Sequence, residues 1–149
     1  MKMEHKLALL RAAEGAEPVQ FGALCTRRKA GAVEVLLITS RDTGRWVVPK
    51  GWAMPGRSGA EAAVIEAWEE AGVVGALGGP STGSFVYQKM LGIGLSMPCR
   101  VQLYPVRVER LAADWPEKGQ RRRKWFRVQK AAKLVREPEL AALLRALAR

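Results

Sequence analysis

Acidic residues are scarce in this chain of 149 residues: 14 Asp and Glu stand against 25 Lys and Arg, a formal net charge of +11. That balance points to a polyanionic partner, whether nucleic acid, an acidic membrane surface or a phosphate-rich small molecule. Cysteine is nearly absent. Cys25 and Cys99 lie far apart and in no metal-ligand spacing, so they read as two small buried side chains in a reducing compartment. Histidine occurs once, as His5, in a stretch expected to fray, and no catalytic role is expected of it. Long apolar runs are missing as well. The uncharged stretch 71–88 is broken by Gly72, Gly75, Gly78, Gly79, Pro80 and Gly83, which no membrane helix would tolerate. Residues 7–10 are too short an apolar run for a signal-peptide core. The expected setting is the cytoplasm, with no membrane partner.

What is present is ordinary globular material. Hydrophobic residues make up 48% and charged residues 26%, which excludes a disordered chain, and the length allows one domain with a full core. Residues 1–17 read as a weakly helical extension and residues 18–149 as the domain. Residues 21–26 and 33–39 are apolar runs rich in strand formers, joined by a basic segment ending in Gly31, the pattern of a hairpin. Residues 46–48 form another brief apolar run.

The period then changes. Ser58 and Glu61 have the spacing of a capping box, and Gly72 suits the end of the helix between them. Ala62, Ala63, Ile65 and Trp68 would supply its packing face. Residues 84–89 and 100–108 alternate as half-buried strands do, and residues 124–128 read as a short strand. Pro138 opens a last helix with Leu140, Leu143, Leu144 and Leu147 on one face, for its own sheet or a second copy of the chain. Irregular alternation of helices and hairpins makes the class α+β with a mixed sheet.

The most informative segment is the run from Pro49 to Ser58 followed by the 61–71 helix. Glu66 and Glu70 are i,i+4 neighbours, and Glu69 is i+3 from Glu66, so all three carboxylates share one side. Like charges so placed cost a helix about 0.2–0.5 kcal/mol per pair. Such a stripe is ordinarily a solvated face. Here it follows a Pro49-Lys50-Gly51 loop in a strongly basic chain, and a hard divalent ion such as Mg²⁺ is the natural missing partner.

Gly51 through Val73 resembles the Nudix box, G-x5-E-x7-R-E-U-x-E-E-x-G-U with U apolar. Gly51, Glu66, Ala67, Glu69, Glu70, Gly72 and Val73 fit it; Arg57 stands where the box has its first glutamate, and Ile65 where it has arginine. Trp46-Val-Val-Pro-Lys-Gly51 and the Arg121–Phe126 segment look like the diphosphoinositol-polyphosphate and diadenosine-polyphosphate hydrolase branch of that family. The resemblance implies an α/β/α sandwich and an enzyme that hydrolyses phosphoanhydride bonds with Mg²⁺ or Mn²⁺. It implies Glu66, Glu70 and the Gly51 carbonyl as metal ligands, with Glu69 a further ligand or the catalytic base; Glu117 and Asp114 are candidate bases outside the box.

Of the basic residues, Arg41, Lys50, Arg57, Arg121, Arg122 and Arg123 are the expected phosphate-binding set. Trp52 is the candidate for stacking on a base. The expected substrate is a dinucleoside polyphosphate first and a diphosphoinositol polyphosphate second, acted on by a monomer or homodimer. The alternative is a catalytically weakened domain of the same fold, binding nucleic acid or nucleotides as a regulatory module.

Overall fold

The structure, a computed structural model, describes residues 2–148. Its elements run α1 (Met3–Ala13), β1 (Val19–Lys29), β2 (Ala32–Thr39), β3 (Trp46–Val47), β4 (Lys50–Trp52), α2 (Gly59–Ala71), β5 (Val73–Leu77), β6 (Gly83–Gly92), β7 (Leu95–Leu111), β8 (Arg123–Arg127), α3 (Val128–Leu134) and α4 (Pro138–Ala146). All eight strands belong to one sheet. It is mixed, because β1 pairs in parallel with β7 and the other pairings are antiparallel. Along its first half β1 lies between β4 and β7; along its second half β2 replaces β4. The sheet therefore forks, and the fork leaves room for a cleft.

Both sheet faces are covered, which explains the unbroken apolar runs at its centre. Ala23, Cys25, Leu36 and Ile38 meet α2 on one face, while Leu24, Val35 and Leu37 meet α3 and α4 on the other. This is the α/β/α layering expected. Both cysteines are buried and free, and burial pushes the Cys25 thiol up to about 12. Among the described residues no helix is long and apolar enough to cross a membrane.

The first hairpin is longer than its apolar runs. The basic residues expected in the turn, Arg27, Arg28 and Lys29, extend β1, and only Ala30 and Gly31, both at positive φ, make the bend. Two such residues give the turn a twist matching that of the strands. Strands β4 and β5 and helix α3 are additional to the expected elements, β4 replacing the loop expected at Lys50 and Gly51 by pairing with β1.

Helix α2 begins at the expected capping box, with Ser58 and Glu61 bonding each other's backbone N–H, and ends at Gly72 in the left-handed conformation. Its packing face agrees with the one expected only in part: Ala62 and Ala63 are buried, but Ile65 is only half-buried. Ala63, Ala67 and Ala71 pack on the sheet, while Trp68 is exposed. Small residues at i, i+4 and i+8 let the helix lie close to the strands, and that proximity draws Glu66 and Glu70 down to the cleft floor.

Candidate active site

One cleft of about 960 Å³ gathers most of the sequence candidates. Its floor comes from α2 through Glu66, Glu69 and Glu70; β4 contributes Lys50, Gly51 and Trp52, and the connection after β7 brings Glu117 and Arg121. Glu66 and Glu70 are each only 9% exposed. Glu117 reaches the group because its backbone N–H donates to the Glu69 carbonyl at 3.0 Å, tying the loop to the last turn of α2. Asp114 is exposed and lies outside the cleft lining.

Arg121 organises this floor. Its guanidinium donates to Glu70 Oε2 at 3.4 Å, to Glu117 Oε1 at 3.4 Å and to the Thr39 carbonyl at 3.2 Å. The Lys50 backbone N–H holds the other Glu70 oxygen at 3.2 Å. Burial raises the Glu70 carboxyl above its ordinary value, and Arg121 and Lys50 oppose that rise. Glu66 is treated differently. Burial first, and then the charges of Glu70, Glu69 and Glu117, push its carboxyl up to about 8.

Among the described residues Glu66 has no ion-pair or hydrogen-bond partner. Its carboxylate packs so closely on Gly51 that a Cβ there would fall on it. A buried acid without a cation, beside a backbone cradle that only glycine leaves open, suits a small divalent ion with oxygen ligands. Among the described residues no three acidic, histidine or cysteine side chains already converge as a cage.

The Glu66 shift has a testable sign. Its folded-state value lies above the ordinary 4.5, so its contribution is fully favourable below about 4.5 and is lost as pH rises toward 8. In chelator, wild-type stability should therefore fall relative to Glu66→Gln across that window, by on the order of 2 kcal/mol after solvent screening. Urea denaturation of both proteins at pH 4.5, 6 and 8 measures the difference; a constant gap would refute it.

The basic candidates divide. Arg41, Lys50 and Arg121 line the cleft, and Arg41 is steadied by Gln120 at 3.0 Å. Arg57 does not line it; its exposed side chain faces Glu61 at 3.6 Å, one helical turn away. Arg122 is also outside, its guanidinium 5.3 Å above the Trp46 ring. Arg123 points to the far side of the loop, where it bonds the carbonyls of Ala71 at 2.9 Å and Ala112 at 2.7 Å and stacks on Trp115 at 3.9 Å. It closes the C-terminal end of α2 and does not line the cleft where the other expected phosphate-binding residues meet. Arg123→Ala should cost about 2–3 kcal/mol in chemical denaturation, because two buried carbonyls lose a charged donor. The KM for any substrate should not change.

Two contributors to the cleft are beyond those expected. Lys89 shares the inward face of β6 with Phe85, Tyr87 and Leu91, and a lysine at an inward position of an alternating strand was the available signal. Helix α1, with Lys2 just before it, forms a wall through His5, Leu7, Ala8 and Arg11. His5 meets Trp52 edge-on, with ring centroids 6.0 Å apart.

The sheet, its helical layers and this cleft belong to one class of protein: residues 16–147 match the NUDIX domain, and the chain belongs to that family. Among curated relatives, human diphosphoinositol polyphosphate phosphohydrolase 3-beta is 33% identical over 75% of this chain, which spans 65% of the relative's length. Among solved structures, an Ap4A hydrolase from C. elegans superposes with a TM-score of 0.58 at 22% identity, covering 87% of this chain and 95% of the other. A NUDIX hydrolase from Nitrosomonas europaea gives 0.66 at 19% identity, over 90% and 92%.

Proposed function

We propose that this chain is a divalent-metal-dependent pyrophosphohydrolase that cleaves a phosphoanhydride in a densely phosphorylated small molecule. The observation that carries this reading is the division of one cleft into an acidic floor and a cationic rim. Glu66, Glu69, Glu70 and Glu117 line it together with Arg41, Lys50, Lys89 and Arg121, and Arg121 pairs with two of the acids. Glu66, Glu70 and the Gly51 carbonyl are the groups to hold Mg²⁺ or Mn²⁺. Such an ion lowers the pKa of bound water and neutralises charge on phosphate oxygens.

The chain's own groups do the rest. Arg121 holds Glu70 and Glu117 in place, and Arg41 and Lys50 present cations to phosphate. Glu117 is tied to Arg121, so Glu69, half-buried and without an ion-pair partner among the described residues, is the base that takes a proton from the attacking water.

On substrate, we put the diphosphoinositol kind ahead of the dinucleoside kind. Trp52 is half-buried, engaged by His5 and packed against α1, which leaves little aromatic surface for a base. The relatives' names support the same order. Incubation with a panel of inositol and nucleoside polyphosphates plus Mg²⁺ or Mn²⁺, with a chelated control, tests the reading. Metal-dependent product is expected; no turnover of any member would favour the binding-module alternative.

A further inference from the structure

The 112–122 connection carries Glu117 and Arg121 into the cleft, and its Gln120 steadies Arg41. It belongs to no helix or strand, so contacts with the elements it crosses must set its shape. Three ties run to the C-terminal end of α2. The Ala112 N–H donates to the Gly72 carbonyl at 2.8 Å, and the Glu117 N–H to the Glu69 carbonyl at 3.0 Å. Just past the connection, Arg123 donates to the Ala71 carbonyl at 2.9 Å.

Trp115 stands between the first two ties. Its ring lies so near Gly72 that a Cβ there would come within 2.7 Å of the indole. The Arg123 guanidinium stacks 3.9 Å from the ring centre, a contact that gains strength as it is desolvated. One side chain thus joins the start of the connection to its end. The Trp115 carbonyl accepts the Lys118 N–H at 3.1 Å, and the Glu117 carbonyl accepts the Gln120 N–H at 3.1 Å, two turns that lead to Arg121. Among the described residues the buried indole N–H has no hydrogen-bond partner, so the ring face does the holding. Trp115 does not line the cleft; any effect on a reaction there must pass through Glu117 and Arg121.

We propose that Trp115 is a positioning residue for hydrolysis: wedged between Gly72 and Arg123, it holds the connection in the shape that brings Glu117 and Arg121 to Glu70. This role rests on the reading of the cleft as a pyrophosphohydrolase site. Arg121 reaches Glu70 and Glu117 at 3.4 Å each, already long for such bonds, so a small retreat of the loop breaks both. Lys50 and Gly51 hang from β4, and Arg41 follows β2. Phosphate binding therefore outlasts the retreat, and the loss falls on the chemical step, where a shift of about 1 Å can cost about a hundredfold.

Amide exchange followed by NMR and steady-state kinetics on the same variants test it. In Trp115→Ala the Glu117 amide should exchange at least about tenfold faster, and kcat should fall at least about tenfold with KM within about twofold of wild type. Trp115→Phe keeps a ring face and gives up only an unbonded N–H, so it should restore both. Should the alanine variant not fold, Trp115→Leu carries the test, with a smaller loss in the same direction. In an Arg121→Met background Trp115→Ala should lower kcat little further, because the group it positions is gone. Full additivity there, or an unchanged kcat beside faster exchange, would reduce the ring to a structural part and overturn the proposal. A phenylalanine variant as slow as the alanine one would overturn the stacking account. Should wild type hydrolyse no member of the panel, the hydrolase reading fails first. Exchange at Glu117 then still reads the clamp, supporting it if faster in Trp115→Ala and not in Trp115→Phe, and overturning it if unchanged.

Discussion

Glu70→Gln is expected to lower kcat/KM by about three orders of magnitude, the scale on which a group at the reacting centre acts, while the fold persists. Glu70 is held at both oxygens, by the Lys50 N–H and by Arg121. A glutamine oxygen can still accept one of these bonds, and Arg121 keeps Glu117 and the Thr39 carbonyl as partners. Burial already disfavours the Glu70 charge, so neutralising it should move the melting temperature by only a few degrees. Initial rates with Mg²⁺ and a thermal melt on the same preparation separate the two effects. Retention of more than about a tenth of wild-type activity would remove Glu70 from the metal site.

Local signals made most of the site legible in the sequence. The capping box, Gly72 and the 3.6-residue period place three carboxylates on one side of α2 without any knowledge of the sheet. The hairpin and the final helix follow from similar short-range patterns. What stayed hidden depends on contacts distant in sequence. Nothing within residues 3–13 says that Ala8 will rest on Leu91 and Met97, so His5 looked idle. The basic run at 121–123 misled because three identical side chains follow three directions: Arg121 into the cleft, Arg122 over Trp46 and Arg123 against the end of α2. Alternation along a strand would part Arg122 from its neighbours but leave Arg121 and Arg123 on one face; those two part because β8 begins only at Arg123, so Arg121 lies in the preceding loop.

The departures at Arg57 and Ile65 also acquire a physical account. Arg57 faces Glu61 on the exposed side of α2 and leaves no charge stranded inside. The cleft acids receive their guanidinium from elsewhere: Arg121, about 10% exposed, bridges Glu70 and Glu117 from the loop before β8. An arginine contributed from outside the helix couples the acids to the 112–122 connection, so the site depends on that loop's anchor at the Glu69 carbonyl.

Gly51→Ala should nearly abolish hydrolysis at modest cost to stability, and it isolates the contact between β4 and Glu66. Gly51 does not have the positive φ that would exclude alanine, so any effect comes from the added methyl. Gly51 is paired with Phe21 of β1 and cannot retreat without opening the ladder, so the Glu66 side chain must yield. A side-chain terminus moves easily; the expected loss of stability is about 1–2 kcal/mol, within the usual range for overpacking. Activity and Mg²⁺ affinity should both fall, activity at least about a hundredfold, because the displaced carboxylate no longer lies where an ion could use it. Since both substitutions remove the same carboxylate position, Gly51→Ala combined with Glu66→Gln should cost little more than either alone. Fully additive losses would mean that Gly51 and Glu66 act independently, which the absence of room between them does not allow.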